Sequence, residues 1–221
     1  MTFEKKKKFI ILDMDGTLID SERIMLDCAK EYVRGCGLEH DDNLMLQFVG
    51  ASPEDIVVIL KTRYGRDFDA EGFLRGFVES YNKHLMDMPI PVKAGAKELL
   101  DYLTQKGWNM ALATSTYRDM VEVSLKKSGL KKYFDIIISG DTVERSKPSP
   151  EIYLKTCAAL GVKPQDCYAV EDSKVGVISA VTAGLKVLAV PDLHEVEVDL
   201  IPKCTGIFSD CYGIIEYLES I

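Results

Sequence analysis

Histidine and tryptophan are scarce in this sequence, with three of the first and one of the second among 221 residues. The three histidines, His40, His84 and His194, are scattered, so a histidine-based zinc site has no support from spacing. The six cysteines form no Cys-x-x-Cys pair and no finger-like pattern. They read as reduced, mostly buried thiols, as in a cytoplasmic protein. No apolar run approaches the roughly 18 residues that cross a bilayer, so no membrane partner is expected. Positive charge is also short, with 27 Lys and Arg against 35 Asp and Glu and a net charge of -8. A nucleic-acid partner, which calls for a basic face, is therefore not expected. Neither Gly-x-x-x-x-Gly-Lys-[Ser/Thr] nor Gly-x-Ser-x-Gly occurs, so P-loop and α/β-hydrolase chemistry are unsupported. Lys5–Lys8 before Phe9-Ile10-Ile11-Leu12 outlines a signal peptide, but the apolar run is too short and Asp13 ends it. It reads as a buried strand behind a solvated lysine tail.

Strand-length apolar runs recur along the chain: Phe9–Leu12, Asn109–Ala113, Ile136–Ser139, Tyr168–Val170 and Lys186–Val190. Between them, Ala94–Gln105, Met120–Lys127, Pro150–Leu160 and Val175–Ala183 carry apolar residues at helical spacing. Ser149 before Pro150 reads as a helix N-cap, and Gly161 and Gly184 stand where helices end. The alternation predicts an α/β fold, a doubly wound, mostly parallel sheet with a Rossmann-like core. Residues 21–88 break the rhythm. They contain no convincing strand, and Ile24–Val33, Pro53–Tyr64 and Ala70–Leu85 look helical. Met88-Pro89-Ile90-Pro91 reads as a rigid return linker. The expected organisation is a core of residues 1–20 and 89–221 with a helical module of residues 21–88 inserted after the first strand.

Ligands of open α/β sheets bind beyond the carboxyl ends of the strands. Asp13 and Asp15 follow the first run, Thr114 and Ser115 the second, and Glu171 and Asp172 the fourth. A loop after the third leads to Lys147 in Ser146-Lys147-Pro148. Each feature alone has an ordinary explanation: a solvated Asp-x-Asp loop, a helix entry, a surface lysine, a helix start. Together they place four acidic groups, a hydroxyl and a lysine on one rim. Clustered carboxylates repel unless a cation sits among them. Oxygen donors of this kind suit Mg2+, which keeps contact with substrate phosphate. Lys147 offers a cation to phosphoryl oxygens, and Thr114 with the N–H groups after it offers hydrogen bonds. Gly16 permits a tight turn where a ligand approaches.

In this order the residues resemble the haloacid dehalogenase-like superfamily, in its branch of phosphatases and β-phosphoglucomutases with a helical cap. Asp13-Met14-Asp15-Gly16-Thr17 is similar to the first motif of that family, Thr114 to the second, Lys147 to the third and Glu171-Asp172-Ser173 to the fourth. The resemblance implies that residues 21–88 form the cap. It implies hydrolysis of a small-molecule phosphate monoester, a sugar phosphate or nucleoside monophosphate, through an aspartyl-phosphate on Asp13. Asp15 is then the proton donor and acceptor. Magnesium is held by Asp13, the Asp15 carbonyl and Asp172, with Glu171 direct or through water. Thr114, Ser115 and Lys147 hold the phosphoryl oxygens. The true dehalogenases lack the second aspartate, so Asp15 implies phosphoryl chemistry. Mutases of this branch use a cap histidine and a cap-loop arginine, where this chain places Met25 and Pro53. A sugar phosphomutase is the alternative. A receiver-like signalling domain is the non-enzyme alternative, which Asp15 and the insertion disfavour. Candidate substrate contacts are Glu22, Ser52 and Arg118, with Ser21, Arg23, Gly50 and Ala51 beside them. A monomer is the default.

Overall fold

The computed structural model describes residues 7–39, 41–48, 51, 53–193 and 195–221. By its internal contacts the chain divides into two compact units, Met1–Asp20 with Pro91–Ile221, and Ser21–Ile90.

The first unit is built on six strands: β1 (Phe9–Leu12), β2 (Asn109–Ala113), β3 (Ile137–Ile138), β4 (Cys167–Glu171), β5 (Lys186–Ala189) and β6 (Gly206–Ile207). All neighbouring pairs are parallel and the order is β3-β2-β1-β4-β5-β6. The order reverses between β1 and β4, and a crevice opens at such a switch point, beyond the carboxyl ends of the strands. Its helices are α5 (Ala96–Gln105), α6 (Arg118–Lys127), α7 (Glu151–Leu160), α8 (Lys174–Ala183) and α9 (Cys211–Glu219). Right-handed crossovers put α5 and α6, which step away from β1 toward β3, on the face opposite α7 and α8. The second of these faces buries Ile11, Ala111, Ala113, Ala169 and Val187 against Ile152, Tyr153, Val177 and Ala180. Alternation sends Ile10, Leu12, Leu112, Val170 and Leu188 to the other side, where they are equally buried and α9 packs against α5. Burial on both faces explains why these strands are nearly continuous in aliphatic residues.

The strand β6 and helix α9 have no counterpart among the sequence expectations. A two-residue strand carries no alternation, and Gly213 interrupts the apolar pattern of α9. One helix start also needs correction. Pro150, not Ser149, occupies the cap position of α7, with φ -72 and ψ -3. Ser149 belongs to a preceding turn, its N–H bonded to the Ser146 carbonyl at 2.9 Å and its carbonyl accepting from Ser179 Oγ at 2.6 Å. Gly161 and Gly184 do end α7 and α8 in the left-handed conformation.

Among its described residues the second unit's regular elements are all helices: α1 (Ser21–Gly35), α2 (Asp42–Leu46), α3 (Pro53–Tyr64) and α4 (Ala70–Asp87). Asp41 and Asp69 cap α2 and α4 through side-chain bonds to backbone N–H groups. Its core joins Cys28, Val33, Met45, Phe48, Leu60, Phe73 and Phe77. The Tyr32 ring meets Phe73 edge-on at 5.1 Å and comes so near α4 that a Cβ on Gly76 would lie 1.9 Å from its hydroxyl.

Candidate active site at the carboxyl end of the sheet

Register brings the principal groups level. Leu12 pairs with Leu112 and with Val170, so the next residues, Asp13, Ala113 and Glu171, stand side by side across three strands. The Asp13 N–H continues the ladder to the Val170 carbonyl at 3.1 Å. Asp13 and Glu171 then point to the same face as Ile11 and Ala169, the face covered by α7. From the turn before α7 the Lys147 side chain reaches in, with the Lys147–Pro148 peptide cis. Its Nζ bonds Asp13 Oδ1 at 2.5 Å, Glu171 Oε1 at 2.6 Å and the Ala113 carbonyl at 3.3 Å. An ammonium has three protons, and all three are used.

Asp172, one residue further, adds a third buried carboxylate, with ligand oxygens of Asp13, Glu171 and Asp172 all within 4.8 Å of one another. Thr17 Oγ1 donates to Asp172 Oδ1 at 2.9 Å. Three carboxylates face one ammonium, so two negative charges stand in excess when all are ionised. Burial pushes the Asp13 carboxyl well up; Lys147 opposes this, while Glu171 and Asp15 add to it. Burial also works against the Lys147 ammonium, but the charges of Asp13 and Glu171 outweigh it and raise its pKa. An oxygen-only cluster this tight fits a magnesium ion, whose opposed ligands lie about 4 Å apart. The residues present therefore suit the divalent cation that the acidic pattern calls for.

Asp15 stands to one side of this trio. The loop around it closes tightly, with Leu18 and Ile19 N–H groups on the Met14 carbonyl and Gly16 at φ +75. Asp15 Oδ2 accepts from Thr116 Oγ1 at 2.7 Å and Thr114 Oγ1 at 3.3 Å. Thr114 was expected on phosphoryl oxygens; here its hydroxyl holds Asp15 and accepts from the Thr116 N–H at 3.1 Å. Ser115 is exposed, and its carbonyl lies where a Cβ on Gly140 would come within 2.0 Å.

The substrate-contact candidates fare unevenly. The Arg118 guanidinium is tied to Glu122 at 2.7 Å, one helical turn on, and its Nη1 to the Ile137 carbonyl at 3.3 Å. Such i,i+4 pairing is a helix-surface role. Glu22 is half-buried in the first turn of α1. Ser52 and Gly50 lie outside the described residues.

Sequence reasoning passed over Tyr153, Thr116 and Gly176, and gave Thr17 no role. Tyr153 is fully buried on α7 and its hydroxyl donates to Glu171 Oε1 at 2.5 Å. Burial, with the Glu171 charge, pushes its pKa well up and keeps the proton in place. Gly176 lies so close to the Glu171 carboxylate that a Cβ would fall 2.0 Å from Oε2. The only sequence signal was position, with Tyr153 six residues after Lys147 on the helix that the lysine precedes.

Comparison with known proteins places the chain. Residues 10–190 match the model of the family described as haloacid dehalogenase-like hydrolase. The whole chain aligns at 30% identity with 56% of the bifunctional riboflavin kinase/FMN phosphatase of Arabidopsis thaliana, so it spans about half of that relative. Over 80% of this chain and 82% of the other, it is 31% identical to the phosphorylated carbohydrates phosphatase of Thermotoga maritima. The crystal structure of CbbY from Rhodobacter sphaeroides, in complex with phosphate, superposes with a TM-score of 0.73 at 25% identity, covering 93% of this chain and 95% of that one.

Proposed function

The chain belongs to the haloacid dehalogenase-like hydrolases, and from that premise we propose how its own residues hydrolyse a phosphate ester. The enzyme is a phosphoric monoester hydrolase acting on a small phosphorylated metabolite of the sugar phosphate or nucleoside monophosphate class. FMN and phosphorylated carbohydrates, named for two relatives, belong to that range.

Asp13 is the nucleophile. Lys147 engages its Oδ1, so Oδ2 is the oxygen that attacks phosphorus in line and forms the aspartyl-phosphate, splitting one hard displacement into two easier ones. Asp15, oriented by Thr116 and Thr114, gives its proton to the departing ester oxygen. It then takes a proton from the water that attacks the aspartyl-phosphate, which restores Asp13 and releases inorganic phosphate. Lys147, on exchanging its long bond to the Ala113 carbonyl for one to the substrate, and the Thr114–Ser115 segment hold the phosphoryl oxygens, where position and electrostatics carry the step. Asp13, Glu171 and Asp172, with the Asp15 carbonyl, would hold magnesium, which supplies positive charge opposite the phosphoryl oxygens. We assign the helical unit of residues 21–88 to selection of the leaving group, with Glu22 and Ser52 as its first residues to test. The free thiols fit a reducing cytoplasm, and we take the working state as a monomer.

One observation carries this reading: three mutually close buried carboxylates at the ends of β1 and β4, two of them bridged by a buried lysine. A panel of phosphorylated metabolites, assayed for phosphate release with and without magnesium, tests it. Magnesium-dependent release is expected. Conversion of glucose 1-phosphate to glucose 6-phosphate without free phosphate would replace it with the mutase.

A further inference from the structure

We propose that Tyr153 is a positioning residue for the metal-binding carboxylates: its hydroxyl holds Glu171 in one orientation beside Lys147, so that the cluster is preset for a divalent cation. The inference rests on the phosphatase reading for the identity of the site, but its own content is the coupling between two side chains. Glu171 has no solvent exposure. A buried carboxylate must be satisfied inside the protein. Its Oε1 takes two donors, Lys147 Nζ at 2.6 Å and Tyr153 Oη at 2.5 Å. Its other oxygen is walled by the bare Cα of Gly176, with Ser173 Oγ at 3.5 Å. Two donors on one oxygen and a wall beside the other leave the carboxylate plane little freedom to turn.

Tyr153 also touches the other member of the pair. The Lys147 ammonium lies 5.3 Å from its ring centroid, within reach of the π-face. One aromatic side chain therefore contacts both the lysine and the glutamate. A phenylalanine would fill the same core position among Ile152, Val177 and Ala180 and keep the ring over Lys147. The hydroxyl is the only part of Tyr153 that packing leaves unexplained, and bringing it into an apolar core costs free energy unless it is bonded. Among the described residues its hydrogen-bond partner is Glu171. Groups that orient a metal ligand in this way typically change metal affinity about 10- to 100-fold when removed.

The test is a double-mutant cycle between Tyr153→Phe and Glu171→Gln, read by thermal-shift titration with magnesium and no substrate. Tyr153→Phe is expected to raise the magnesium Kd about tenfold, with the KM for p-nitrophenyl phosphate at saturating magnesium unchanged. In the Glu171→Gln background the same change should add little, because the hydroxyl acts through the carboxylate. An unchanged magnesium Kd in Tyr153→Phe overturns the proposal. So do fully additive losses in the cycle, which would make Tyr153 a packing residue. Wild-type protein that binds magnesium yet releases no phosphate from any ester would sink the phosphatase reading instead, and the cycle would still report on Tyr153.

Discussion

Among the described residues of the helical unit, Ser21–Ile90, every fully buried side chain except Ser21 is apolar, whereas the sheet unit also buries Asp13, Glu171 and Asp172. The helical unit is held by ordinary means, with Tyr32, Phe73 and Phe77 in ring contact at 5.1 and 6.1 Å and capped helices. The sheet unit sets three carboxylates and one ammonium into its core at a single rim. Such burial is costly, and a cluster with negative charge in excess is more costly than a balanced pair. The aliphatic strands beneath, with Ile10, Ile11 and Leu12 wholly buried, offset that cost. Buried charge against a rigid sheet marks the proposed site; buried rings in a helical bundle mark packing.

The strongest way to break this contrast is to remove the proposed nucleophile. Asp13→Asn should lower phosphate release by on the order of 10^4-fold, while circular dichroism stays that of the wild type. Retained turnover would show that the buried cluster is structural. A chelator comes next. It should silence the enzyme by about a hundredfold or more, with full recovery on adding magnesium, and activity that survives chelation would dismiss the metal site.

These two experiments address what could be read from the sequence. Asp13, Lys147, Glu171 and Asp172 were legible because each follows an apolar run, and strands of a parallel sheet deliver their ends to one rim. Their mutual distances needed the register of β1, β2 and β4. Tyr153 was not legible, since an aromatic at a helical core position looks alike whether or not its hydroxyl meets a carboxylate. Gly176 was hidden for the same reason: its close approach to Glu171 spans the end of β4 and the first turn of α8. Arg118 looked like a substrate contact because it follows Thr114 closely, but Glu122 four residues on explains it better. In the helical unit the periodicity was plain and the chemistry was not, because its described elements are all helices and no parallel strands there deliver side chains to one rim.

Two glycines turn the comparison into a matched pair. In Gly176→Ala the new Cβ would fall 2.0 Å from Glu171 Oε2 and 2.1 Å from its Cδ. Lys147 and Tyr153 pin that carboxylate from the other side, so the ligand itself must move. Magnesium affinity and turnover should fall about 10- to 100-fold. In Gly76→Ala the overlap is as close, 1.9 Å, but with the hydroxyl end of Tyr32. Overpacking costs about 1–3 kcal/mol, and the better helix propensity of alanine returns about 1 kcal/mol. A small loss of thermal stability with unchanged turnover is expected. Equal losses of activity in the two variants would erase the division between units.

The smallest effect belongs to the thiols. Cys36 is exposed just past the end of α1, while Cys28 within α1 is buried and its thiol is pushed up to about 11 by burial, with Glu31 and Asp27 adding to it. In the sheet unit Cys211 is buried and pushed up to about 12, again chiefly by burial. A raised thiol pKa leaves less thiolate at any given pH, and the thiolate is the reacting form. At pH 8 a disulfide reagent should therefore modify Cys36 rapidly, half-buried Cys204 more slowly, and the four buried cysteines only on unfolding. Because Cys36 belongs to the unit with no buried charge among its described residues, its modification should leave phosphate release untouched. Activity that declines in step with the first thiol would show that the helical unit bears on turnover through this end of α1, and the separation of packing from chemistry would have to be redrawn there.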